Sequence, residues 1–276
     1  MQSNGDNVSV SRNTIALPSA LEHADDIIQR LQHQHLVVFL DYDGTLTPIV
    51  DRPDRALLSA SMRQTLIELA SRCPVMIISG RDRADVQRLV QLDDIFYAGS
   101  HGFDIAGPRG QQMTCERAEN FLPVFDHIEQ ELLHSLARVE GVLVERKKFS
   151  IAVHVRGIAR EDEGMVEAIV NDVLMRYPDV RKGFGKKVFE LQPRLDWHKG
   201  KAVLWLLQAL HRDESAVLPI YIGDDLTDED AFRTLTDGGI GIVVEAGSRP
   251  TAANYVLQQP AEVQSFLHRL ISCLPR

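Results

Sequence analysis

Short apolar runs alternate with longer amphipathic stretches along much of the chain, and that alternation predicts its architecture. From about Leu21 to Gln34, the residues Leu21, Ala24, Ile27, Ile28 and Leu31 fall on one helical face. The run Leu36 to Leu40 is continuously apolar, as a strand buried on both faces of a parallel sheet should be, and it ends in DYDGT. A helix over about 61–71 follows, then a second buried strand, PVMII, ending in Ser79-Gly80-Arg81. A helix over about 82–91 and a strand near 95–98 complete a βαβαβ succession. Such alternation predicts an α/β fold with a doubly wound parallel sheet.

The pattern changes after Gly102. Gly107-Pro108-Arg109-Gly110 reads as a turn between short strands. A helix over about 120–138, strands near 142–146 and 149–155, a helix near 161–176 and a strand pair near 180–192 follow, paired like hairpins. From Asp196 the first pattern resumes: helix 198–211, the strand VLPIYI, the run GDDLTDED, a helix, the strand Ile240 to Val244 and a final helix from about Ala261. The expected organisation is a flexible lead-in over 1–20, a core split into 21–103 and 194–276, and an inserted α+β domain over 104–193.

Composition narrows the partners. The 276 residues are 44% hydrophobic and 25% charged, a globular balance, and carry a net charge of −9. An acidic chain argues against binding nucleic acid or an anionic membrane, so positive charge for an anionic substrate must be local. Cys73, Cys115 and Cys273 show no metal-ligand spacing and suit a reducing compartment. No run approaches the ~18 apolar residues of a membrane span, and the Ser- and Asn-rich start has no apolar signal core. A soluble cytoplasmic monomer is the expectation.

Asp41 and Asp43 close the first core strand, and in extended backbone residues two apart point the same way. Open α/β sheets place ligands beyond the carboxyl ends of their strands. Asp224, Asp225 and Asp228 follow the VLPIYI strand, so two acidic strand ends 183 positions apart can meet. Gathered carboxylates repel unless a cation neutralises them, and hard oxygen ligands suit Mg²⁺. Read alone, Asp-Gly is also a common turn pair, and Asp228 could cap the next helix. Two acids at one strand end can divide the labour, one attacking an electrophile and the other moving the leaving group's proton. Ser79 and Gly80 offer a hydroxyl and open backbone at the second strand's end. Lys199 and Lys201 open a helix, where cations are disfavoured unless an anion faces them.

DYDGTLTPI, SGR, a lysine before a helix and GDDLTDED occur in the order of the four motifs of the haloacid-dehalogenase-like (HAD) hydrolases, which the chain resembles. That resemblance implies a Rossmann-like core with Asp41 as nucleophile and Asp43 as general acid/base. Ser79, Gly80, Arg81 and Lys199 would hold phosphate. Mg²⁺ would sit on Asp41, the Asp43 carbonyl and Asp224, supported by Asp225 and Asp228. The insert is similar to the C2-type cap of that superfamily. GSHG, VERKKFSIAVHVR, GKKVFELQP, WHKGKAV and IGDDLTDEDAF are similar to segments of the trehalose-6-phosphate phosphatase family over about 21–272. The resemblance implies hydrolysis of trehalose 6-phosphate, a link to a trehalose-phosphate synthase, and sugar contacts from Glu145, Lys147 (favoured over Lys148 by its spacing from Glu145), His154, Arg156, Lys186 and Glu190.

The cap residues fit that role on their own chemistry. Along 149–155, Phe149, Ile151, Val153 and Val155 share one strand face, while Ser150, Ala152 and His154 share the other. Glu190 lies among apolar neighbours, a costly place for an unpaired carboxylate. Carboxylates are strong acceptors for sugar hydroxyls, although Glu190 could instead pair with Lys147 or Lys186. Two other readings stay open here. One is another sugar phosphatase or a phosphosugar mutase with the same core. The other is an inactive sugar-phosphate-binding subunit, which would be expected to lack one of Asp41, Asp43, Lys199 or Asp224.

Overall fold

The computed structural model describes residues 12–31, 34–50, 52–110, 112–114, 119–185, 187–210, 216–245 and 247–275. In chain order the elements are β1 (Arg12–Asn13), α1 (Ala24–Arg30), β2 (His35–Leu40), α2 (Ala60–Ala70), β3 (Val75–Ile78), α3 (Arg83–Val90), β4 (Phe96–Gly99), β5 (Asp104–Ala106) and β6 (Gln112–Thr114). There follow α4 (Leu122–Ser135), β7 (Leu143–Lys147), β8 (Ser150–His154), α5 (Glu163–Leu174), β9 (Val180–Gly185) and β10 (Val188–Pro193). The chain closes with α6 (Lys199–Leu210), β11 (Val217–Gly223), α7 (Glu229–Thr234), β12 (Ile240–Val244), β13 (Pro250–Thr251), β14 (Tyr255–Leu257) and α8 (Pro260–Cys273). They form two compact units. One holds the residues up to Gly102, Ala106–Gln112 and those from His198 on; the other holds Phe103–Ile105 and Met113–Trp197.

In the first unit the strand order β14-β12-β11-β2-β3-β4 is parallel throughout. The chain winds outward from β2 in both directions, which makes the β2–β11 boundary the switch point where such sheets bind ligands. The continuous apolar runs arise because both faces are covered. Leu36, Val38 and Leu40 join a core with Ile220, Ile222 and residues of α1, α2, α3 and α8. Their alternates face the other way, where Phe39 stacks on Tyr221 at 6.4 Å and Tyr221 meets Phe232 of α7 edge-on. Register aligns the ends that matter: Ile222 pairs with Leu40, and Leu40 with Ile77. Asp41, Ser79 and Asp224 therefore leave their strands at one edge.

The lead-in expected over 1–20 differs from the structure, because from Arg12 it belongs to the core. β1 pairs antiparallel with β13, the Thr14 amide donates to the Arg249 carbonyl, and Ser19 bridges to Val256. A polar composition concealed this, since the segment is held by main-chain hydrogen bonds that any residue but proline can make.

The second unit carries a four-stranded antiparallel sheet, β7-β8-β10-β9. Phe125, Ile128 and Leu132 of α4 and Val166, Val170 and Val173 of α5 pack with Ile151, Val153 and Leu191 on one face. Registered pairs share a face, so Glu145, Ala152 and Glu190 point to the opposite side.

Candidate functional site

The site is built from three strand ends and one helix start. Asp41 follows β2, and its amide donates to the Ile222 carbonyl at 2.9 Å, which holds it beside the end of β11. The chain then turns sharply: Gly44 adopts φ +80° and its amide donates to the Thr47 carbonyl at 2.8 Å. A Cβ at Gly44 would stand 2.0 Å from Asp224 Oδ2, so only glycine leaves room for that carboxylate. Lys199, the first residue of α6, inserts its ammonium between Asp41 Oδ1 (2.8 Å) and Asp228 Oδ1 (2.7 Å), with its side chain 3% exposed. Asp228 Oδ1 also accepts from the Tyr221 hydroxyl at 2.6 Å, and Oδ2 accepts from the Asp225 amide at 2.9 Å.

Asp41, Asp224 and Asp228 each bring an oxygen within 4.8 Å of the others. One ammonium cannot neutralise three carboxylates. Burial first, then the charge of Asp228 against the pull of Lys199, pushes the Asp41 carboxyl up to about 7. Burial and the charges of Asp41 and Asp228 push Asp224 up to about 9. Burial opposes the charge on Lys199, but Asp228 and Asp41 outweigh it and hold the ammonium well above its usual range. Asp224 Oδ1 is buried without a hydrogen-bond partner. An orphaned buried oxygen among carboxylates raised toward neutrality, every donor a hard oxygen, fits a divalent cation.

Asp43 is gripped by Arg81, with Nε at 2.6 Å and Nη2 at 2.7 Å. The same guanidinium donates to Asp85 and to the Pro53 carbonyl. Arg81, grouped with the phosphate holders on sequence, thus spends its side chain on Asp43. Ser79 is buried at the end of β3, and its hydroxyl oxygen accepts the Arg81 amide at 3.1 Å. The His101 ring covers Gly80, 2.8 Å from where a Cβ would stand. Asp225 caps the turn before α7, accepting from the Leu226 amide at 2.7 Å; it is Asp228 that joins the acidic cluster.

In the second unit, the sheet face opposite α4 and α5 gathers a separate polar group. Glu190 lies 3.4 Å from Lys147 Nζ and from the buried Ser150 hydroxyl, and His154 meets Glu145 at 2.7 Å. The alternative pairing of Glu190 with Lys147 is therefore present. Lys148 turns instead to Asp104 at 3.0 Å, which separates the two neighbouring lysines. Arg156 is exposed in the turn after β8, and Lys186 lies outside the described residues. Sequence reasoning missed Tyr221 and Glu229. For Tyr221 a signal existed, a hydroxyl inside an otherwise apolar buried strand. Glu229 was hidden in an acidic run.

A family model described as trehalose-phosphatase matches residues 39–261. A relative from Arabidopsis thaliana, "Probable trehalose-phosphate phosphatase E", is 43% identical over 265 residues, covering 92% of this chain and 75% of the relative. "Trehalose 6-phosphate phosphatase RA3" of Zea mays is 41% identical over 268 residues, covering 92% and 74%. Among solved structures, the trehalose-6-phosphate phosphatase of Aspergillus fumigatus superposes with a TM-score of 0.66 at 26% identity, covering 93% of this chain and 99% of the other.

Proposed function

The chain belongs to the trehalose-phosphatase family, and from that premise we propose that it hydrolyses trehalose 6-phosphate to trehalose and phosphate through an aspartyl-phosphate on Asp41. The observation that carries the mechanism is Lys199 fixed on Asp41 Oδ1, which leaves Oδ2 as the attacking atom. In the first step Asp41 Oδ2 bonds to phosphorus, the bond from phosphorus to the sugar oxygen breaks, and Asp43 gives that oxygen a proton. In the second, Asp43 takes a proton from water, the water oxygen bonds to phosphorus, and the aspartyl ester bond opens to release phosphate. Arg81 holds both Asp43 oxygens, so one of these hydrogen bonds opens when Asp43 carries the proton it gives, while the other keeps it aimed. The Ser79 hydroxyl, the Gly80 amide and Lys199 hold the phosphoryl oxygens.

Asp41, the Asp43 carbonyl and Asp224 would hold Mg²⁺, with Asp228 anchoring Lys199 beside them and Asp225 supporting the loop. When bound, Mg²⁺ screens the repulsion between the attacking carboxylate and the anionic substrate. Sugar recognition falls to Glu145, Lys147, His154, Arg156, Lys186 and Glu190. The reading is of a monomeric cytoplasmic enzyme taking its substrate from a trehalose-phosphate synthase; the free thiols of Cys73 and Cys273 fit a reducing compartment. Among the described residues no helix is long and apolar enough to cross a membrane.

Phosphate release across a panel of sugar phosphates tests the assignment, with trehalose 6-phosphate expected to be turned over fastest. Asp41→Asn should abolish turnover and the trapping of beryllium fluoride. Substantial turnover by that variant would sink the covalent mechanism.

A further inference from the structure

Asp224 brings a carboxylate oxygen within 4.8 Å of those of Asp41 and Asp228, and that placement depends on where its backbone is held. Its carbonyl oxygen accepts from Arg249 Nη2 at 2.9 Å. The same guanidinium donates through Nη1 to Glu229 at 2.7 Å and through Nε to Glu245 at 3.3 Å. Glu229 is 4% exposed, opens α7 directly after Asp228, and also accepts the Ala252 amide at 2.8 Å. One planar side chain thus ties the residue after β11, the start of α7 and the end of β12, a three-way reach that suits the guanidinium fork.

Arg249 is itself held from behind. Thr14 receives the Arg249 amide on its hydroxyl at 3.1 Å and donates its own amide to the Arg249 carbonyl at 2.9 Å. The Thr14 hydroxyl in turn donates to the Gly247 carbonyl at 2.7 Å, and Ser248 bonds Asn13. The N-terminal strap therefore fixes the backbone from which Arg249 reaches inward.

We propose that Arg249 is a positioning residue for the cation site, pinning the Asp224 main chain so that its carboxylate stays aimed at Asp41. The proposal rests on the reading of Asp224 as a cation ligand. Neutralising Glu229 is a separate, structural task that a lysine can share. Pinning the Asp224 carbonyl at the same time needs the fork. Loss of a group that orients a metal ligand typically costs about 10- to 100-fold in metal affinity, and an effect passed through a carbonyl belongs near ten.

The test compares the parent with Arg249→Lys, Arg249→Ala and Glu245→Gln, reading Mg²⁺ affinity by calorimetric titration and by Mg²⁺-dependent stabilisation against heat. Arg249→Lys should fold and bind Mg²⁺ about tenfold more weakly, while phosphate release at saturating Mg²⁺ falls much less than the affinity does. Glu245→Gln, which keeps the contacts of Arg249 to Glu229 and Asp224, should bind as the parent does. Arg249→Ala should lose at least as much affinity as Arg249→Lys. Parental Mg²⁺ affinity in a folded Arg249→Lys protein would overturn the proposal while leaving the cation site intact. A parent that Mg²⁺ does not stabilise would overturn the reading of the acidic cluster beneath it.

Discussion

Replacing Lys199 with methionine removes the one ammonium that lies between Asp41 and Asp228 while nearly preserving side-chain volume. Its Nζ bonds lie at 2.8 and 2.7 Å, and both carboxylates are buried, Asp228 completely. Removing one partner of a buried ion pair costs about 3–5 kcal/mol, because the remaining charge is left uncompensated. For a chain of this size each kcal/mol lowers Tm by roughly 2–4 °C, so Lys199→Met should melt roughly 6–20 °C below the parent. The measurement is a melting curve in chelator at pH 8. The loss should shrink toward pH 6, since Asp41, already pushed up to about 7 by burial, can then take a proton to relieve the repulsion. Lys199→Met/Asp228→Asn should recover much of the lost Tm, because the amide keeps an acceptor for Tyr221 and carries no charge, and it should stay inactive. A Lys199→Met protein melting within about 3 °C of the parent, or a double variant no more stable than the single, would refute the charge argument.

Gly44→Ala tests the close approach of the two loops: its Cβ would stand 2.0 Å from Asp224 Oδ2, on a backbone at φ +80°. Mg²⁺ affinity and phosphate release should fall together, and a parent-like enzyme would remove that crowding from the account. Acidity offers a second check. Asp41 and Asp224, pushed up to about 7 and about 9, bind protons in the metal-free fold that the unfolded chain gives up above about pH 4. Stability of the metal-free protein should therefore be greatest at low pH as far as these two groups contribute, and be lost as pH rises through 7 to 9. Mg²⁺ binding at pH 7 should release roughly one to two protons, read from calorimetry in buffers of different ionisation enthalpy; no release would contradict the raised values. In the second unit, Glu190→Ala and Lys147→Ala should each lower kcat/KM for trehalose 6-phosphate by about tenfold or more, the cost of a lost hydrogen bond to a charged group. Hydrolysis of a small aryl phosphate should stay within a few-fold, and equal losses on both substrates would make the pair structural.

The sheet was legible because its runs are one-sided in chemistry: Leu36 to Leu40 and Val75 to Ile78 are apolar at every position, which a strand covered on both faces requires. The placement of Asp41, Ser79 and Asp224 at one edge followed from that winding, with no need for side-chain detail. Tertiary pairing was not legible. Arg81 stands beside Ser79 in sequence, yet its guanidinium reaches Asp43, thirty-eight positions away, because β2 and β3 are neighbours in the sheet. Asp225 and Asp228 look alike in GDDLTDED, and the turn of 226–228 separates their tasks, leaving one to cap and one to hold Lys199. The strap from Arg12 to Ser19 carries no apolar periodicity and docks through its backbone, so neither hydropathy nor period could reveal it.

Charge accounting ties these parts to the acidity of the whole chain. Asp41, Asp224 and Asp228 bring three carboxylates to one point, and Lys199 answers one of them. A buried imbalance of two negative charges is not sustained in a water-poor site: the groups either take up protons or hold a divalent cation. In the first state Asp41 is half neutralised near pH 7 and a poor nucleophile. In the second it is fully ionised beside a centre that also attracts phosphate. The same crowding that raises the carboxyls of Asp41 and Asp224 thus makes their ionisation conditional on a cation. A chain with a net charge of −9 can attract an anionic substrate locally without a basic surface. On this account, relieving the crowding by Asp228→Asn, which removes the nearest like charge raising Asp41, should lower the Asp41 carboxyl toward its ordinary range while leaving Lys199 wholly to Asp41. Carboxylate titration of the metal-free variant by NMR would show the first effect, and an Asp41 that still titrates near 7 would place the cause in burial alone.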